Sequence, residues 1–594
     1  MPDSMPNRFS SRPVLDRVLT LASAMLAVVH TWAGRYSMNP DGMSYLDVGS
    51  SFVRHDWADA LNAWWSPLYP WSLGIIVSVV RPSPKWEFPL VQAFNFVLFL
   101  GALFAFRYFL GSVLNFCHRR DATASTVTSL PDWALILIGY ATFWWASLEL
   151  ITTYHVSPDM AVLGCVCLGA GLLLELDERS SRKRFARFGV VLAIGYWTKA
   201  VLFPLGFVFL GCAFLWKRAS REWRNGILIA GILYVCAAAP LVYLLSKQKG
   251  RFTFGDSGKV AYAWGLSPRT SVRNWQGEEP GSGTPAHATR QVLQGPPIFE
   301  FDGPIVGTYP PWTDPSYWNE GVRPNFSLKA QMEVLAATAP SELRLLLRAE
   351  PGLVIGVIVL VLVGRRRWVL GVRELWPFLA IPIVGMVFYL PMLVNDRYLA
   401  GFVLVLFVAL YASAKVGSED RRLVAYVAIA IFAAMTLSTV DVTVRYATNH
   451  LAIPGVGPNS TIENVVAAEQ LPRYGVNPGD KVAVIGDGTG AYWARLAKVR
   501  IVAEIMGAKR GAQEFWNAPE ETKQQAYGAF ASAHAKLVMS SCPAVIPADW
   551  TQIAGTNYCL LQLSRYELFS HQVTPNGTTP TGPLISRKVD LPTH

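Results

Sequence analysis

The chain has 594 residues, of which 52% are hydrophobic and only 16% are charged. This excludes an ordinary soluble enzyme, since soluble domains carry about 25% charged residues. The net charge of +11 does not indicate nucleic-acid binding, because the Lys and Arg residues lie in short clusters between apolar runs, as in the cytoplasmic loops of membrane proteins.

Apolar runs long enough to cross a bilayer recur from residue 14 to residue 440 and then stop. The first follows three arginines, and without an evident cleavage site it predicts an uncleaved signal anchor with a cytoplasmic N-terminus. The candidate segments are residues 16–34, 66–80, 89–116, 132–150, 159–176, 186–199, 201–216, 225–245, 352–364, 375–394, 398–414 and 423–440.

If every segment crossed, the basic clusters at 118–121, 179–187, 217–224 and 365–367 would face outward, against the positive-inside rule. Segment 66–80 is the best candidate for one that does not cross. It is short, begins with two prolines and follows the Trp-rich sequence WADALNAWW. We therefore predict a polytopic α-helical membrane protein with about eleven crossing helices, plus interfacial or re-entrant helices.

The polar parts of the chain form two external loops and a C-terminal domain. Residues 1–440 are predicted to form the membrane domain, with external loops at 35–88 and 247–350, the second being rich in Gly, Pro, Trp and Tyr. Residues 441–594 contain short alternating or apolar runs between helix-like stretches, which predicts an external α/β domain with a flexible tail.

Two cysteines, Cys542 and Cys559, share this polar region. They could form a disulfide if the domain faces an oxidising compartment. The sequence VIGDGTGAYWARLA (484–497) in the same domain suggests a nucleotide-binding loop, but the glycine spacing is incomplete and no basic phosphate-binding residue follows. A tight strand-to-helix turn is the preferred interpretation.

Asp41 is the first candidate catalytic residue, in the sequence MNPDGMSYLDVG directly after the first span. A carboxylate there could remove a proton from a sugar hydroxyl as that hydroxyl attacks a lipid-linked anomeric carbon. The alternative is a helix N-cap.

The topology places three further charged residues on the same side as Asp41. Asp159, with His155 nearby, begins a later span, where an acid would also suit the helix dipole. Lys199 lies between two apolar runs and could bind a lipid phosphate or extend to the interface without further function. Arg397 could hold a phosphate through two oxygens or pair with an acid such as Asp396.

Aromatic residues outside the membrane are candidates for sugar contact, because Trp and Tyr faces stack on sugar rings. Membrane-interface belts are the commoner role of such residues. The candidates for contact with sugar or acceptor are Tyr45, Trp65, Tyr69, Trp312 and Trp318.

Taken together, PDGMSYLD, WSPLYPWSLG, SPDMA, GYWTKAVLFP and the C-terminal soluble domain resemble the GT-C superfamily of membrane glycosyltransferases. The resemblance is to its bacterial branch, related to protein O-mannosyltransferases and the aminoarabinose transferase, and it covers most of residues 15–216. It implies that Asp41 is the catalytic base, that Asp159 is the acid of the second external loop, and that Lys199 and Arg397 surround a lipid phosphate. Gly42 stands where many relatives carry a second acid, which argues against a metal site.

The expected function is inverting, metal-independent transfer of a sugar from a polyprenyl-phosphate donor to a hydroxyl of a glycan, lipid or protein, without a cofactor. The expected location is the inner membrane, with the C-terminal domain periplasmic. Lys199, Arg397 and His155 would bind the donor phosphate, and Asp159 would orient the acceptor or sugar. A transporter or flippase of a lipid-linked or anionic substrate is the alternative, and an assembly scaffold is a third hypothesis.

Overall fold

A computed structural model describes residues 11–122, 128–176, 181–217, 220–271, 273–301, 303, 306–349, 351–364, 366–417, 420–451 and 462–566. The predicted flexible tail after about Ser570 and residues 452–461 lie outside the described residues. The fold class is as predicted, a polytopic helical membrane protein with a C-terminal α/β domain.

The helices of the membrane domain follow the predicted segments closely, because each long apolar run satisfies its backbone hydrogen bonds internally as a helix. A π-helical segment, Trp145–Ile151, extends α6. The helices are α1 Ser11–Ala33, α2 Pro40–Val53, α3 Trp57–Ala60, α4 Leu68–Val80, α5 Pro84–Asp121, α6 Asp132–Trp144, α7 Asp159–Glu175, α8 Arg182–Thr198, α9 Leu202–Trp216, α10 Arg221–Lys249, α11 Ser257–Leu266, α12 Pro310–Thr313, α13 Pro315–Trp318, α14 Leu328–Arg344, α15 Pro351–Gly364, α16 Arg366–Glu374, α17 Pro377–Val387, α18 Asp396–Ala412 and α19 Arg421–Leu451.

By length and apolar composition, five helices among the described residues could cross a membrane, or up to seven if two bent helix pairs each count as one span. This is fewer than the roughly eleven crossings predicted. Several predicted spans form shorter helices: α7, α8 and α18 have 17 residues each and α9 has 15. At 1.5 Å per residue, 17 residues cover about 26 Å, slightly less than a typical hydrocarbon core.

The segment predicted not to cross forms α4, a helix of 13 residues that is too short for a full crossing. It packs on α2 where Gly49 meets Gly74. A Cβ added at either glycine would clash with backbone atoms of the other helix. These glycines therefore allow the two backbones to touch, which fixes α2, the helix that carries Asp41.

A seven-stranded sheet, in the order β2-β3-β6-β5-β7-β9-β8, forms the core of the domain that contains the C-terminal segment, which we call the sheet domain. Strands β5, β6 and β7 are parallel, and the neighbouring pairs are antiparallel. A separate pair, β1 and β4, joins two loops of the membrane domain. The strands are β1 Thr128–Ser129, β2 Arg290–Gln294, β3 Pro297–Glu300, β4 Lys415–Val416, β5 Lys481–Ile485, β6 Arg500–Ile505, β7 Leu537–Ser541, β8 Thr551–Gln552 and β9 Tyr558–Gln562.

The helices of this domain are α20 Ile462–Gln470, α21 Tyr492–Leu496, α22 Ala508–Trp516 and α23 Glu520–Ser532. Strands β2 and β3 come from the loop 247–350, so that loop and the C-terminal segment share one sheet. The fully buried Glu504 of β6 fastens the loop further, since it accepts hydrogen bonds from the Tyr309 hydroxyl (2.7 Å) and the Asn274 amide (2.9 Å). The loop is thereby fastened to the sheet.

Candidate active site

Asp41 lies in the first turn of α2, but it does not cap the helix. The N-cap residue is Asn39, whose side-chain amide exchanges hydrogen bonds with the backbone of Val156 (3.2 Å and 2.9 Å). The carboxylate of Asp41 instead accepts hydrogen bonds from the Trp312 indole (3.2 Å) and from Arg397 (2.9 Å). The alternative of a simple helix cap therefore does not describe this aspartate.

Buried amides of α5 hold together the segment that follows α1 and the segment that precedes α7. Gln92 donates to the carbonyl oxygens of Ser37 (2.7 Å) and Tyr154 (2.9 Å), and Asn95 donates to the carbonyl of His155 (3.3 Å). Since unpaired buried amides are costly, these bonds fix the segment after the first span against the segment before α7. Asp41 and Asp159 are brought together in this way.

Five predicted site residues meet at this point, and we call them the charged cluster: Asp41, His155, Asp159, Lys199 and Arg397. Arg397 lies between the two carboxylates, 2.9 Å from Asp41 and 3.5 Å from Asp159. Lys199 lies 2.5 Å from the other oxygen of Asp159. Two anions and two cations thus alternate around one site.

The members of the charged cluster differ in their access to solvent. The Asp159 side chain is only 2% exposed, whereas those of Asp41, Arg397 and Lys199 are 17%, 13% and 23% exposed. Asp159 therefore lies beneath the two cations and fits the role of holding them. Asp41 and Lys199 are better placed to meet a substrate.

His155 acts as a neutral hydrogen-bond acceptor in this cluster. Its Nε2 faces Nη1 of Arg397. Since arginine can only donate, this nitrogen must carry no proton. Burial, followed by the charge of Arg397, lowers the pKa of His155 to about 4. In this structure His155 therefore contacts Arg397 through Nε2, and its predicted part in phosphate binding stays a prediction.

This shifted pKa predicts a pH dependence of stability. Between pH 6.5 and about 4 the unfolded chain takes up a proton on His155 before the folded chain does, so the folded state loses up to about 3 kcal/mol as the pH falls through this window. The His155→Gln variant keeps an acceptor but cannot titrate. We expect the thermal unfolding midpoint, measured in detergent, to fall less between pH 7 and pH 4 for the variant than for the parent. If the midpoints of the two proteins fall in parallel, His155 does not have the lowered pKa.

Most of the aromatic candidates are buried. Tyr45, Trp65, Tyr69 and Trp318 are 3–8% exposed, and their rings pack on other aromatic side chains. This corrects the expectation that their faces meet sugar, because those faces are covered by protein. Trp312 differs, since it is partly exposed and donates to Asp41.

Sequence reasoning did not single out the aromatic residues that lie beside Trp312 and Lys199. Trp264 stacks on Trp312 with ring centroids 6.2 Å apart, and Trp64 lies 4.9 Å from Trp264. The ammonium of Lys199 lies 3.7 Å from the ring centroid of Tyr398. The sequence did offer a signal for Tyr398, because this residue directly follows the candidate Arg397.

A second buried network lies further along α2. Asp47 accepts hydrogen bonds from the backbone and hydroxyl of Thr308 (2.8 Å and 3.0 Å) and from Arg495 (3.0 Å). Arg495 also donates to Glu87 of α5 (2.9 Å). This arginine joins the sheet domain to the membrane domain, and its separation from both acids by more than 400 positions left no sequence signal.

The glycine-rich sequence at 486–490 forms a tight turn after β5. The backbone N–H of Gly488 points at the Glu504 carboxylate (3.3 Å), and Asp487 caps Thr489 (3.0 Å). Carboxylates of the chain itself thus receive the N–H groups that a nucleotide phosphate would need, which supports the tight-turn interpretation.

Cys542 and Cys559 form a disulfide in the structure, between the end of β7 and β9. Within the described ranges, no three His, Cys, Asp or Glu side chains lie together as metal ligands.

No known protein-family model and no curated protein matches the sequence. Among solved structures, the chain is similar to ArnT from Cupriavidus metallidurans bound to undecaprenyl phosphate, at 11% identity over 92% of this chain and 97% of ArnT, with a TM-score of 0.39. The apo form of ArnT matches at 12% identity over 94% and 99% of the two chains, also with a TM-score of 0.39.

The oligosaccharyltransferase of Archaeoglobus fulgidus, tethered to an acceptor peptide containing the NVT sequon, matches at 10% identity. The match covers 89% of this chain and 69% of that chain, with a TM-score of 0.45. These neighbours belong to the GT-C superfamily named above. The TM-scores of these three structures are below 0.5, so the roles proposed below for the site residues rest on the geometry of this chain.

Proposed function

We propose that this protein transfers a sugar from a polyprenyl-phosphate donor to a hydroxyl group of a glycan, lipid or protein at the external face of the membrane. The observation that carries the proposal is the charged cluster, in which a partly exposed carboxylate lies beside two cations at the ends of apolar helices. In the proposed orientation the N-terminus is cytoplasmic, the membrane is the inner membrane, and the sheet domain is periplasmic.

The chemistry is a single displacement. Asp41 accepts the proton of the acceptor hydroxyl as its oxygen attacks the anomeric carbon. The bond from that carbon to the phosphate oxygen breaks, and the lipid phosphate leaves with its electron pair. One displacement inverts the configuration at the anomeric carbon, and in our proposal no metal or cofactor takes part.

The cations stabilise the leaving phosphate. Lys199 has three N–H donors, of which one meets Asp159, and its side chain is the most exposed of the four charged ones in the site. Arg397 exchanges its bond to Asp41 for the phosphate, which releases the carboxylate to act as a base. Asp159 and His155 are positioning residues, because they hold the two cations from beneath.

The direct test supplies purified protein in detergent with labelled polyprenyl-phosphate sugars and candidate acceptors. We expect the label to move to the acceptor and the free polyprenyl phosphate to accumulate. If no donor is consumed, but lipid-linked sugar crosses the bilayer of vesicles containing the protein, the transporter hypothesis replaces this one.

Replacement of Lys199 by Gln is expected to weaken the binding of polyprenyl phosphate. Loss of one charge-assisted hydrogen bond costs about 1.5–3 kcal/mol, a factor of about 10–100 in affinity. Lys199→Arg keeps the charge and should retain most of the affinity. The control is Arg445→Gln, which removes an exposed cation (75%) paired only with Asp441 in the described structure. Equal affinities for Lys199→Gln and the control would favour the scaffold hypothesis.

A further inference from the structure

A cavity of about 550 Å³ lies between the membrane domain and the sheet domain, apart from the charged cluster. Helices α2 and α4 form one wall, and the connection from α21 to β6 forms the other. The cavity begins near the C-terminal end of α2. From Asp41 in the first turn to Arg54 at the C-cap, the helix rises by about 20 Å.

Positive charge dominates this cavity. Its lining contains five basic and two acidic side chains, an excess of three positive charges. Both acids, Asp47 and Glu87, are bound to one of the cations, the buried Arg495. The other four cations are Arg54, Arg81, Lys498 and Arg500.

The four cations come from three segments of the chain, since Lys498 and Arg500 are two residues apart. Arg54 donates to the Ser51 hydroxyl (3.1 Å) and Arg81 donates to the carbonyl of Ser78 (3.3 Å), and neither bond neutralises a charge. Because like charges in one cavity repel each other, such an arrangement favours the uptake of an anion.

The backbone at two of these cations gives an independent indication. Arg81 (φ 49°) and Lys498 (φ 57°) are two of the five non-glycine residues with positive φ in the described structure. Glycine adopts this conformation with less strain. The chain therefore keeps a long cationic side chain at two positions where the backbone conformation favours glycine. This suggests that the two charges have a function.

An apolar surface borders the cavity. Gly74 and Val77 of α4 line it, and on the same helix Ile75, Val79 and Val80 are 50%, 76% and 55% exposed. Exposed aliphatic side chains on a short helix at the end of a membrane domain suit contact with lipid chains. A ligand that fits both surfaces has an anionic head and an apolar tail.

We propose that this cavity binds the phosphate-bearing headgroup of an anionic lipid. The guanidinium groups of Arg54 and Arg81 can each donate two N–H groups to phosphate oxygens, and Lys498 adds charge from the sheet domain. The lipid would then bridge the two domains beside the Asp47–Arg495 pair. This site is separate from the proposed donor phosphate site at Lys199 and does not depend on the transfer reaction.

The test titrates the purified full-length chain in detergent with dioctanoyl phosphatidylglycerol. The comparison ligands are dioctanoyl phosphatidylcholine and inorganic phosphate, and bound ligand is measured directly. We expect saturable binding of the anionic lipid and at least about tenfold weaker binding of phosphatidylcholine. Equal binding of the two lipids would overturn the proposal. Binding of inorganic phosphate as tight as that of the lipid would also overturn it, in favour of a soluble anion.

The variants Arg81→Gly and Lys498→Gly separate loss of the site from loss of the fold. Glycine adopts a positive φ without backbone strain, so the thermal unfolding midpoint should stay the same or rise. Binding of the anionic lipid should weaken about tenfold or more. The matched control Arg510→Gln removes an exposed cation (85%) of the same domain and should bind as the parent does. Unchanged binding in both glycine variants would refute the site.

Discussion

Replacement of Asp41 by Asn is expected to lower the rate of sugar transfer by about 10²- to 10⁴-fold, the usual contribution of a general base. The amide keeps the size of the side chain and can still accept the hydrogen bond from Trp312. It cannot take the proton of the acceptor hydroxyl. The measurement is the initial rate of label transfer from a polyprenyl-phosphate sugar at saturating acceptor.

The turnover number and the donor KM should respond differently. Asp41 does not contact the donor phosphate in the proposed mechanism, so the loss should fall on kcat, with a much smaller change in KM. Asp549→Asn, at an exposed acid of the sheet domain, is the control and should be as active as the parent. If Asp41→Asn is also fully active, Asp41 is not the base.

The sequence predicted the helices well because their signal is local. The run predicted at 159–176 forms α7, Asp159–Glu175, and short alternating or apolar runs of the C-terminal segment, 481–487, 499–505, 535–541 and 558–564, contain β5, β6, β7 and β9. Apolar length and alternation determine such elements without reference to the rest of the chain.

The prediction that charged residues share one face also agrees with the geometry, since the charged cluster assembles from four distant segments. That prediction used only the count of spans and the positions of the basic loops. The functional roles of the residues in the charged cluster remain a proposal.

The remaining features depend on contacts between distant segments. Strands β2 and β3 lie in a loop whose apolar content is low. They join the sheet because β3 pairs with the edge of β6, and β2 pairs with β3. The burial of Tyr69 and Trp318 follows from packing that no local pattern encodes. A usable signal existed at Gln92 and Asn95, two amides three residues apart in an apolar run, because such residues on one helix face need polar partners.

The largest expected loss of stability follows replacement of Arg495 by Met. The side chains of Arg495, Asp47 and Glu87 are 10%, 4% and 4% exposed, and the arginine lies 3.0 Å and 2.9 Å from the two carboxylates. Methionine fills a similar volume but leaves two buried acids without a cation. Breaking a buried ion pair from one side costs about 3–5 kcal/mol, so we expect a marked fall in the thermal unfolding midpoint.

A second change separates the charge effect from lost packing. Glu87→Gln in the Arg495→Met background removes one uncompensated charge, and it should restore part of the stability, although the same change in the parent chain should destabilise it. Arg510→Met, at an exposed arginine of the same domain, should stay within about 0.5 kcal/mol of the parent. If Arg495→Met is as stable as this control, the ion pairs do not hold the sheet domain on the membrane domain. A partly restored midpoint in the double variant would show that the loss in Arg495→Met comes from uncompensated buried charge rather than from lost packing.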